Sequence, residues 1–293
     1  MENSNQAWCQ PYTINREGFF TMENQIESQV IVVTSGKGGV GKTTTVANVS
    51  TALARLGYKV VAMDLDIGLK KLDLILGLEN RVIYDIVQVI EGECTLKQAL
   101  VKDKRFPALY MLPAAQTRNK DEITSDQVVE LCNELKGDFD FIFIDCPAGI
   151  EQGFRNAIAA ANKAIVVTNP EVSAVRDADR IIGMLESAQF KDIKLVVNRI
   201  RQDMVRTGDM LSVEDLMEHL CVDLIGVVPE DKDVVISTNR GEPMVISNEH
   251  SQASVAFNNV ALRLTGKDVP FQPLQEDSFW ARLKRNLFYK QSS

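Results

Sequence analysis

Short runs of apolar residues alternate with amphipathic segments over most of the chain, from Val30 to about Gly266. The apolar runs are rich in Val and Ile, which is typical of strands buried on both faces of a sheet. Strands that alternate with helices form βαβ units, so the pattern predicts one α/β domain with a doubly wound, mainly parallel sheet flanked by helices. The predicted strands are Val30–Thr34, Lys59–Asp64, Leu109–Leu112, Phe139–Asp145, Ala164–Thr168, Lys194–Asn198 and Leu224–Val228, and the predicted helices include Thr45–Leu56, Ser125–Leu135, Ser173–Ala188 and Val213–His219.

Both ends of the chain depart from this pattern. Residues 1–28 are polar without periodicity, and we expect a flexible N-terminal extension there. Because Met22-Glu23-Asn24 repeats Met1-Glu2-Asn3, translation from Met22 is an alternative start. The α/β domain is expected over residues 29–268, followed by a linker and an amphipathic tail over residues 269–293.

A glycine-rich segment lies between the first predicted strand and the first predicted helix. Within it, Gly36, Gly41, Lys42 and Thr43 fit the pattern G-x-x-x-x-G-K-S/T of loops that bind nucleoside triphosphates. The glycines let backbone N–H groups surround a phosphate, and the helix N-terminus adds a favourable dipole. Lys42 supplies a charge to the terminal phosphates, and the Thr43 hydroxyl is placed to bind Mg²⁺. The expected nucleotide-binding residues of the segment are Gly36, Lys37, Gly38, Gly39, Val40, Gly41, Lys42, Thr43 and Thr44.

The same segment also satisfies a dinucleotide pattern. Gly36, Gly38 and Gly41 match G-x-G-x-x-G, and Asp64 follows at the end of the next strand as a candidate ribose-binding acid. A dinucleotide site, however, has no use for a lysine and a hydroxyl directly after the last glycine. The segment therefore favours a nucleoside triphosphate.

Acidic residues end two of the predicted strands. Phe141–Asp145 has four apolar residues before an acid, which is typical of a Walker B strand whose carboxylate holds Mg²⁺ directly or through water. Asp64 and Asp66 end and follow another strand, where an acidic turn that only caps a helix is the alternative. Asn198 ends another predicted strand, and Pro229 directly follows the last one.

Lys37 needs a separate explanation, because an ordinary phosphate-binding loop does not need a lysine there and an isolated loop lysine is usually just solvated. The block K-G-G-V-G-K-T, residues 37–43, resembles the deviant Walker A sequence of the MinD/ParA ATPases. The resemblance implies an ATP-dependent homodimer in which Lys37 reaches the nucleotide of the partner subunit, much as an arginine finger does.

Further segments from about Val30 to Lys290 resemble the MinD branch of that family. This chain departs from the branch at Lys70-Lys71, where Arg-Asn is common. The resemblance therefore does not extend to any contact that the asparagine makes in the branch. The resembling segments are D-L-D-I-G-L (64–69), R-V-I-Y-D (81–85), L-P-A-A-Q-T-R (112–118), D-C-P-A-G-I-E (145–151), T-N-P-E-V-S-A-V-R-D (168–177), R-T-G-D-M-L (206–211) and I-G-V-V-P-E-D (225–231).

The resemblance implies roles for individual residues in Mg²⁺-dependent ATP hydrolysis. Lys42 would neutralise the β- and γ-phosphates, and Lys37 would stabilise developing charge from the second subunit. Thr43 and Asp145 would hold Mg²⁺, with Asp66 near the metal and positioning the attacking water. The remaining implied roles are a lesser metal-shell role for Asp64, adenine contacts from Asn198 and Pro229, and a γ-phosphate contact from the N–H of Gly149.

The tail from Phe279 to Lys290 is amphipathic. Docking on the protein's own surface is the commoner fate of such a helix, but interfacial aromatic residues and basic residues favour an anionic membrane surface. At ~1 kcal/mol per basic residue, one tail binds marginally, whereas two tails on a dimer bind far more tightly. The expected membrane-binding residues are Phe279, Trp280, Leu283, Lys284, Arg285, Leu287 and Phe288.

Composition limits the alternatives. The net charge of −8 argues weakly against nucleic-acid binding. Five cysteines without a C-x-x-C pattern read as reduced thiols rather than ligands of an iron–sulfur cluster, and the two histidines are too far apart to suggest a metal site. No apolar run is long enough to span a bilayer, and no signal peptide is evident, so we expect a soluble or at most peripheral protein.

The expected function is therefore that of a membrane-associated ATPase that helps to place the division site. The resemblance implies recruitment of a MinC-type inhibitor and stimulation by a MinE-type activator, in a bacterial cytoplasm or a plastid stroma, on the inner face of the membrane. The alternatives are a ParA-type ATPase for DNA partition, a reductase iron protein, and a nucleotide-gated scaffold with negligible turnover.

Overall fold

The computed structural model describes residues 28–67, 71–115 and 123–272, together with the backbone of residues 12–14 and 20–22. The strands are β1 (Tyr12–Ile14), β2 (Phe20–Met22), β3 (Gln29–Thr34), β4 (Val60–Asp64), β5 (Val101–Lys102), β6 (Leu109–Leu112), β7 (Phe141–Asp145), β8 (Lys163–Thr168), β9 (Ile193–Ile200) and β10 (Asp223–Pro229). The helices are α1 (Lys42–Arg55), α2 (Leu72–Leu76), α3 (Ile86–Ile90), α4 (Leu96–Ala99), α5 (Ser125–Leu135), α6 (Gln152–Ala160), α7 (Val172–Ser187), α8 (Gln202–Thr207), α9 (Val213–Leu220), α10 (Lys232–Asn239), α11 (Met244–Ser247) and α12 (Gln252–Leu264), with a 3-10 turn at Glu79–Arg81.

Eight strands form one sheet in the order β10-β9-β8-β3-β7-β4-β6-β5. All neighbours are parallel except β5 and β6, which pair antiparallel at one edge. The carboxyl ends of parallel strands share one side of a sheet, and ligands of such folds bind there. The register places Asp64, at the end of β4, directly opposite Asp145, at the end of β7.

Apolar side chains cover both faces of the sheet, which explains the continuous Val and Ile runs. Along the central strand β3, Val30 and Val32 pack in the cluster that includes side chains of α5, α6 and α7. Ile31 and Val33, on the opposite face, pack with side chains of α1 and α12. The sheet is thus a middle layer between two layers of helices, as predicted.

The predicted strands and helices are present, with small shifts at their ends. The strand predicted from Phe139 begins at Phe141, and the one predicted as Lys194–Asn198 extends over Ile193–Ile200. The helix expected from Thr45 begins at Lys42, because Gly41 adopts a left-handed conformation with φ 104° and turns the chain into the helix at that point. The sequence pattern did not predict the edge strand β5 or the antiparallel pairing of β1 with β2.

Some predictions fall on residues that the structure does not describe. These include the tail residues expected to bind membrane, Lys70, where the chain departs from the common Arg-Asn pair, and the end of the L-P-A-A-Q-T-R segment. Within the described ranges, no helix is both long and apolar enough to cross a bilayer.

Candidate functional site

The glycine-rich loop joins β3 to α1 at the carboxyl edge of the sheet. Gly36 must be a glycine because of close packing: a Cβ there would lie 2.3 Å from the backbone oxygen of Asp177 in α7. Gly41 is constrained in two ways, since its φ is in the left-handed region and a Cβ would lie 2.2 Å from Nδ2 of Asn198. The loop is therefore shaped by contacts with α7 and β9 as well as by its own sequence.

Lys42 lies inside this loop, with only 8% of its surface exposed. Its Nζ donates a hydrogen bond to Oγ of Ser35 at 3.0 Å, and that hydroxyl in turn donates to the backbone oxygen of Lys37 at 2.8 Å. The ammonium group is thus held by a neutral hydroxyl. An anionic phosphate would be a stronger, charge-assisted partner, which suits the predicted role of Lys42.

Asp145 is the most unusual side chain of the site. It is 1% exposed, and neither carboxylate oxygen has a hydrogen-bond partner. Burial raises its pKa well above the ordinary value, and the like charges of Asp64 and Asp66 act in the same direction, whereas the Thr43 hydroxyl and the charge of Lys42 lower it. Buried, unpartnered carboxylate oxygens facing a threonine hydroxyl fit Mg²⁺, which prefers oxygen ligands.

Asp64 lies beside Asp145 but is already bonded to the backbone. Its Oδ1 accepts the N–H of Asp66 at 2.9 Å, and its Oδ2 accepts the N–H groups of Lys71 and Leu72 at 3.4 Å, at the start of α2. Burial raises the pKa of Asp64 to about 6, although these hydrogen bonds oppose the shift. Its lesser metal-shell role stays a prediction, and Asp66 is half-buried next to it.

This arrangement is what a Mg²⁺–nucleotide site requires. Among the described residues, no group of three or more His, Cys, Asp or Glu side chains is placed to hold a metal ion alone. Mg²⁺ in nucleotide sites usually takes one or two protein ligands and completes its shell with phosphate and water. Thr43 and Asp145, the predicted ligands, fit that requirement.

On the other side of the loop, Asn198 is 6% exposed and its Nδ2 donates to the backbone oxygen of Val40 at 2.7 Å. The amide of Asn169, oriented to satisfy its neighbours, donates to the same oxygen at 3.2 Å and to the backbone oxygen of Asn198 at 3.3 Å. In this conformation the amide nitrogen of Asn198 therefore supports the loop. Its contact with adenine stays a prediction, as does that of Pro229 at the end of β10.

A cavity of about 570 Å³ opens at the carboxyl ends of β8, β9 and β10. Its volume is in the range of small-ligand sites. The side chains that line it include Asn169, Glu171, Arg199, Arg201, Met210 and Glu230.

The side chain of Lys37 bonds to the start of α7. Its Nζ lies 3.0 Å from Oε2 of Glu171 and 3.4 Å from Oγ of Ser173, at the start of α7. Sequence reasoning missed both Glu171 and Asn169 as site residues. The available signal was the T-N-P-E-V-S segment that follows β8 at the same edge of the sheet.

The loop after Asp145 also contacts the phosphate-binding loop. The N–H of Gly149, which was expected to face the γ-phosphate, donates to the backbone oxygen of Ser35 at 3.4 Å. Cys146 and Cys132 are fully buried, and burial raises the pKa of each thiol to about 12, so these two thiols are core residues.

Comparison with known proteins identifies the family of the chain. Residues 31–244 match the CobQ/CobB/MinD/ParA nucleotide binding domain. The chain is 57% identical over 244 residues to the septum site-determining protein MinD of Synechocystis sp., covering 83% of this chain and 92% of the relative. It is 51% identical over 263 residues to MinD of Bacillus subtilis, covering 89% and 98%.

Solved structures give the same result. The MinC:MinD cell division protein complex of Aquifex aeolicus superposes with a TM-score of 0.79 and 50% identity, covering 85% of this chain and 100% of that one. MinD of Pyrococcus horikoshii, solved with Mg-ADP, has a TM-score of 0.73 and 33% identity, covering 81% and 96%. A ParA family ATPase of Chlorobium tepidum shares the fold at 21% identity.

The fold and these relatives lead to one assignment. The chain belongs to the MinD branch of the CobQ/CobB/MinD/ParA family, the P-loop ATPases of division-site placement that use ATP and Mg²⁺.

Proposed function

We propose that this ATPase is a membrane switch: ATP binding pairs two chains, the pair binds an anionic membrane surface and recruits a division inhibitor, and hydrolysis releases it. The observation that carries the proposal is that Lys37 is half-exposed and bonded to Glu171 at the surface, whereas Lys42 is buried in the loop. Because Lys42 serves the chain's own phosphate site, the ammonium of Lys37 can leave its surface pair with Glu171 to serve a second one.

The chain's own residues account for most of the hydrolysis step. Lys42 binds the β- and γ-phosphates, and Thr43 and Asp145 hold Mg²⁺, which supplies charge stabilisation at the phosphates when bound. Asp66 orients the attacking water. Val40, Gly41 and the other loop residues contribute backbone N–H groups to the phosphates.

Lys37 completes the site in trans. Its pairing with Glu171 lies at the surface, where ion pairs contribute only ~0–1 kcal/mol. Releasing Lys37 from Glu171 therefore costs little. A nucleoside triphosphate on a second chain offers the ammonium several anionic oxygens in exchange. This supports a homodimer with a nucleotide in each subunit.

Partners follow from the relatives. One of the superposing structures is a MinC:MinD complex, and we extend that partner class to this chain, with a MinE-type protein as the activator of hydrolysis. The basic, aromatic tail from Phe279 to Lys290 supplies the membrane contact. The protein would then act in the cytoplasm or a plastid stroma, on the inner face of the membrane.

Co-sedimentation with anionic liposomes tests the switch. The full chain and a version ending at Glu276 are compared, each with ADP and with a non-hydrolysable ATP analogue. We expect only the full chain with the ATP analogue to sediment. Absence of liposome binding together with salt-sensitive binding to duplex DNA would instead favour the partition ATPase.

A further inference from the structure

Two short helices approach the candidate site from different sides. The N-terminus of α2 lies on Asp64, whose Oδ2 accepts the N–H of Leu72. The other helix, α10, follows Pro229 and is capped at its N-terminus by Asp231, whose Oδ1 accepts the N–H of Asp233 at 2.9 Å. We call the end of the site at Asp64 and Asp145 its metal side, and the end at Pro229, a predicted adenine contact, its base side. Helix α2 begins at the metal side, and α10 begins just after the base side.

The C-terminal ends of these helices meet. Gly77 follows α2 and Gly241 closely follows α10, both with positive φ. A Cβ on Gly77 would lie 2.4 Å from the backbone oxygen of Gly241, and a Cβ on Gly241 would lie 2.7 Å from Cα of Gly77. Only two glycines allow the backbones to approach so closely.

Arg105 lies at this junction, in the segment between β5 and β6. Its Nη2 donates to the backbone oxygen of Leu76, the last residue of α2, and its Nη1 donates to that of Gly241 at 3.1 Å. Asp103, which is 1% exposed, binds the guanidinium through Nε at 3.2 Å and Nη2 at 2.7 Å. Two-point pairing fixes the plane of the guanidinium, which a lysine would not do.

We propose that Arg105 is a positioning residue that couples the metal side of the nucleotide site to its base side. Helices are rigid, so fixing the C-terminal ends of α2 and α10 to one guanidinium makes a shift at Asp64 move the segment that follows Pro229. The inference rests on the proposed assignment of Asp64 and Asp145 to the metal side and of Pro229 to the base side. Arg105 itself contacts no reacting group and acts through the two helices.

The first test is hydrogen–deuterium exchange on the unmodified full chain with Mg²⁺ and inorganic tripolyphosphate, a ligand that has no base. We expect slower exchange in the phosphate-binding loop and also at the amides of Gly241 and Glu242, which bond to the last turn of α10. Protection confined to the phosphate-binding loop and α2 would overturn the coupling. Failure of the ligand to protect the phosphate-binding loop would count against the nucleotide site itself.

The second test uses Arg105→Gln and Arg105→Lys. Calorimetry gives the ADP affinity in the presence of Mg²⁺ and in the presence of EDTA. The ratio of these two affinities measures how strongly the metal side of the site is coupled to ADP binding. We expect Arg105→Gln to reduce this ratio by about fivefold or more, with Arg105→Lys between it and the wild type. An unchanged ratio in both variants overturns the proposal.

Arg55 offers a matched control. Its Nη1 donates to the backbone oxygen of Val245 at 2.5 Å, and its Nη2 pairs with Glu249 at 3.0 Å, so it also joins a helix end to a neighbouring segment. We expect Arg55→Gln to leave the ratio of ADP affinities with Mg²⁺ and with EDTA unchanged, even if the substitution lowers the Tm. An equal fall in both variants would show general loosening and would contradict a specific role for Arg105.

Discussion

Nζ of Lys37 lies 3.0 Å from Oε2 of Glu171 in the same chain, with the two side chains 43% and 51% exposed. The second lysine of the loop is therefore bound to its own subunit through a weak surface pair. Glu171 begins the turn into α7, directly before Val172, which is also exposed. The same pair that holds Lys37 within the chain must open when Lys37 contacts another nucleotide.

Weakening this pair should ease dimerisation. We expect Glu171→Gln to lower the protein concentration needed for dimer formation with an ATP analogue by about two- to fivefold, the equivalent of ~0.5–1 kcal/mol for an exposed ion pair. Analytical ultracentrifugation measures this, with Glu186→Gln as a control at the exposed far end of α7. A weaker dimer in Glu171→Gln would show instead that Glu171 supports the interface.

The two lysines of the loop should separate binding from hydrolysis. Lys42→Ala removes the buried ammonium, so we expect the affinity for ATP and ADP to fall at least about tenfold, as for loss of a charge-assisted hydrogen bond. Lys37→Ala should keep ADP affinity within about twofold but lose hydrolysis and ATP-dependent liposome binding. Fluorescent-nucleotide titration and phosphate release measure the two properties.

Normal ATP-dependent recruitment of Lys37→Ala to liposomes would count against the role of Lys37 in trans. Equal loss of ADP binding in both variants would place Lys37 in its own site.

Asp145 should destabilise the chain when no metal is bound. Its carboxylate is buried without a hydrogen-bond partner, so replacing the charged group by an amide removes a desolvation penalty. We expect the free energy of unfolding of Asp145→Asn at pH 8 with EDTA to exceed that of the wild type by about 1–2 kcal/mol. With Mg-ADP in place of EDTA, the variant should lack the rise in Tm that the wild type shows. Thermal denaturation in both conditions measures this, and a variant that Mg-ADP stabilises as much as the wild type would contradict the metal assignment.

The raised pKa values of Asp64 and Asp145 predict a pH dependence. A carboxyl group whose pKa is higher in the folded chain than in the unfolded chain binds more protons when folded, so its contribution to stability falls as the pH rises. For Asp64 the pKa is about 6, which places this loss between about pH 4 and pH 6. Because a metal needs deprotonated carboxylates, the Mg²⁺-dependent part of ADP affinity should weaken below about pH 6.

Calorimetry from pH 5 to pH 8 with Mg²⁺ and with EDTA tests this. The affinity measured in EDTA is the internal control, and an equal pH dependence in both conditions would contradict the prediction.

Much of the fold was predictable because it depends on local patterns. Val30–Thr34 and Phe141–Asp145 are buried on both faces, so their unbroken apolar runs identify them as central strands. The two-residue strand β5 has too little pattern to be read, and it forms only because β6 offers it an edge. The antiparallel pairing of β1 with β2 likewise lies in a segment without periodicity.

The site was predictable where one segment carries the chemistry. Lys42 and Asp145 lie in such segments, and the structure shows both buried at the carboxyl edge of the sheet, while their roles stay predictions. Contacts between distant segments were not predictable: Glu171 meets Lys37, and Asn198 bonds to Val40, across more than 130 residues of sequence. No local pattern specifies these pairs, because they depend on the strand order of the sheet.

The most direct test of Lys37 in trans is complementation between two inactive variants. Lys37→Ala keeps Asp66 but lacks the lysine for its partner, whereas Asp66→Ala supplies Lys37 but does not orient water. Phosphate release is measured with lipid vesicles for each variant alone and for an equimolar mixture. We expect neither variant to turn over ATP alone, and the mixture to recover up to about a quarter of the wild-type rate, since random pairing gives half mixed dimers with one competent site each. If the mixture stays as inactive as its components, Lys37 does not act across the dimer and the proposed switch is wrong.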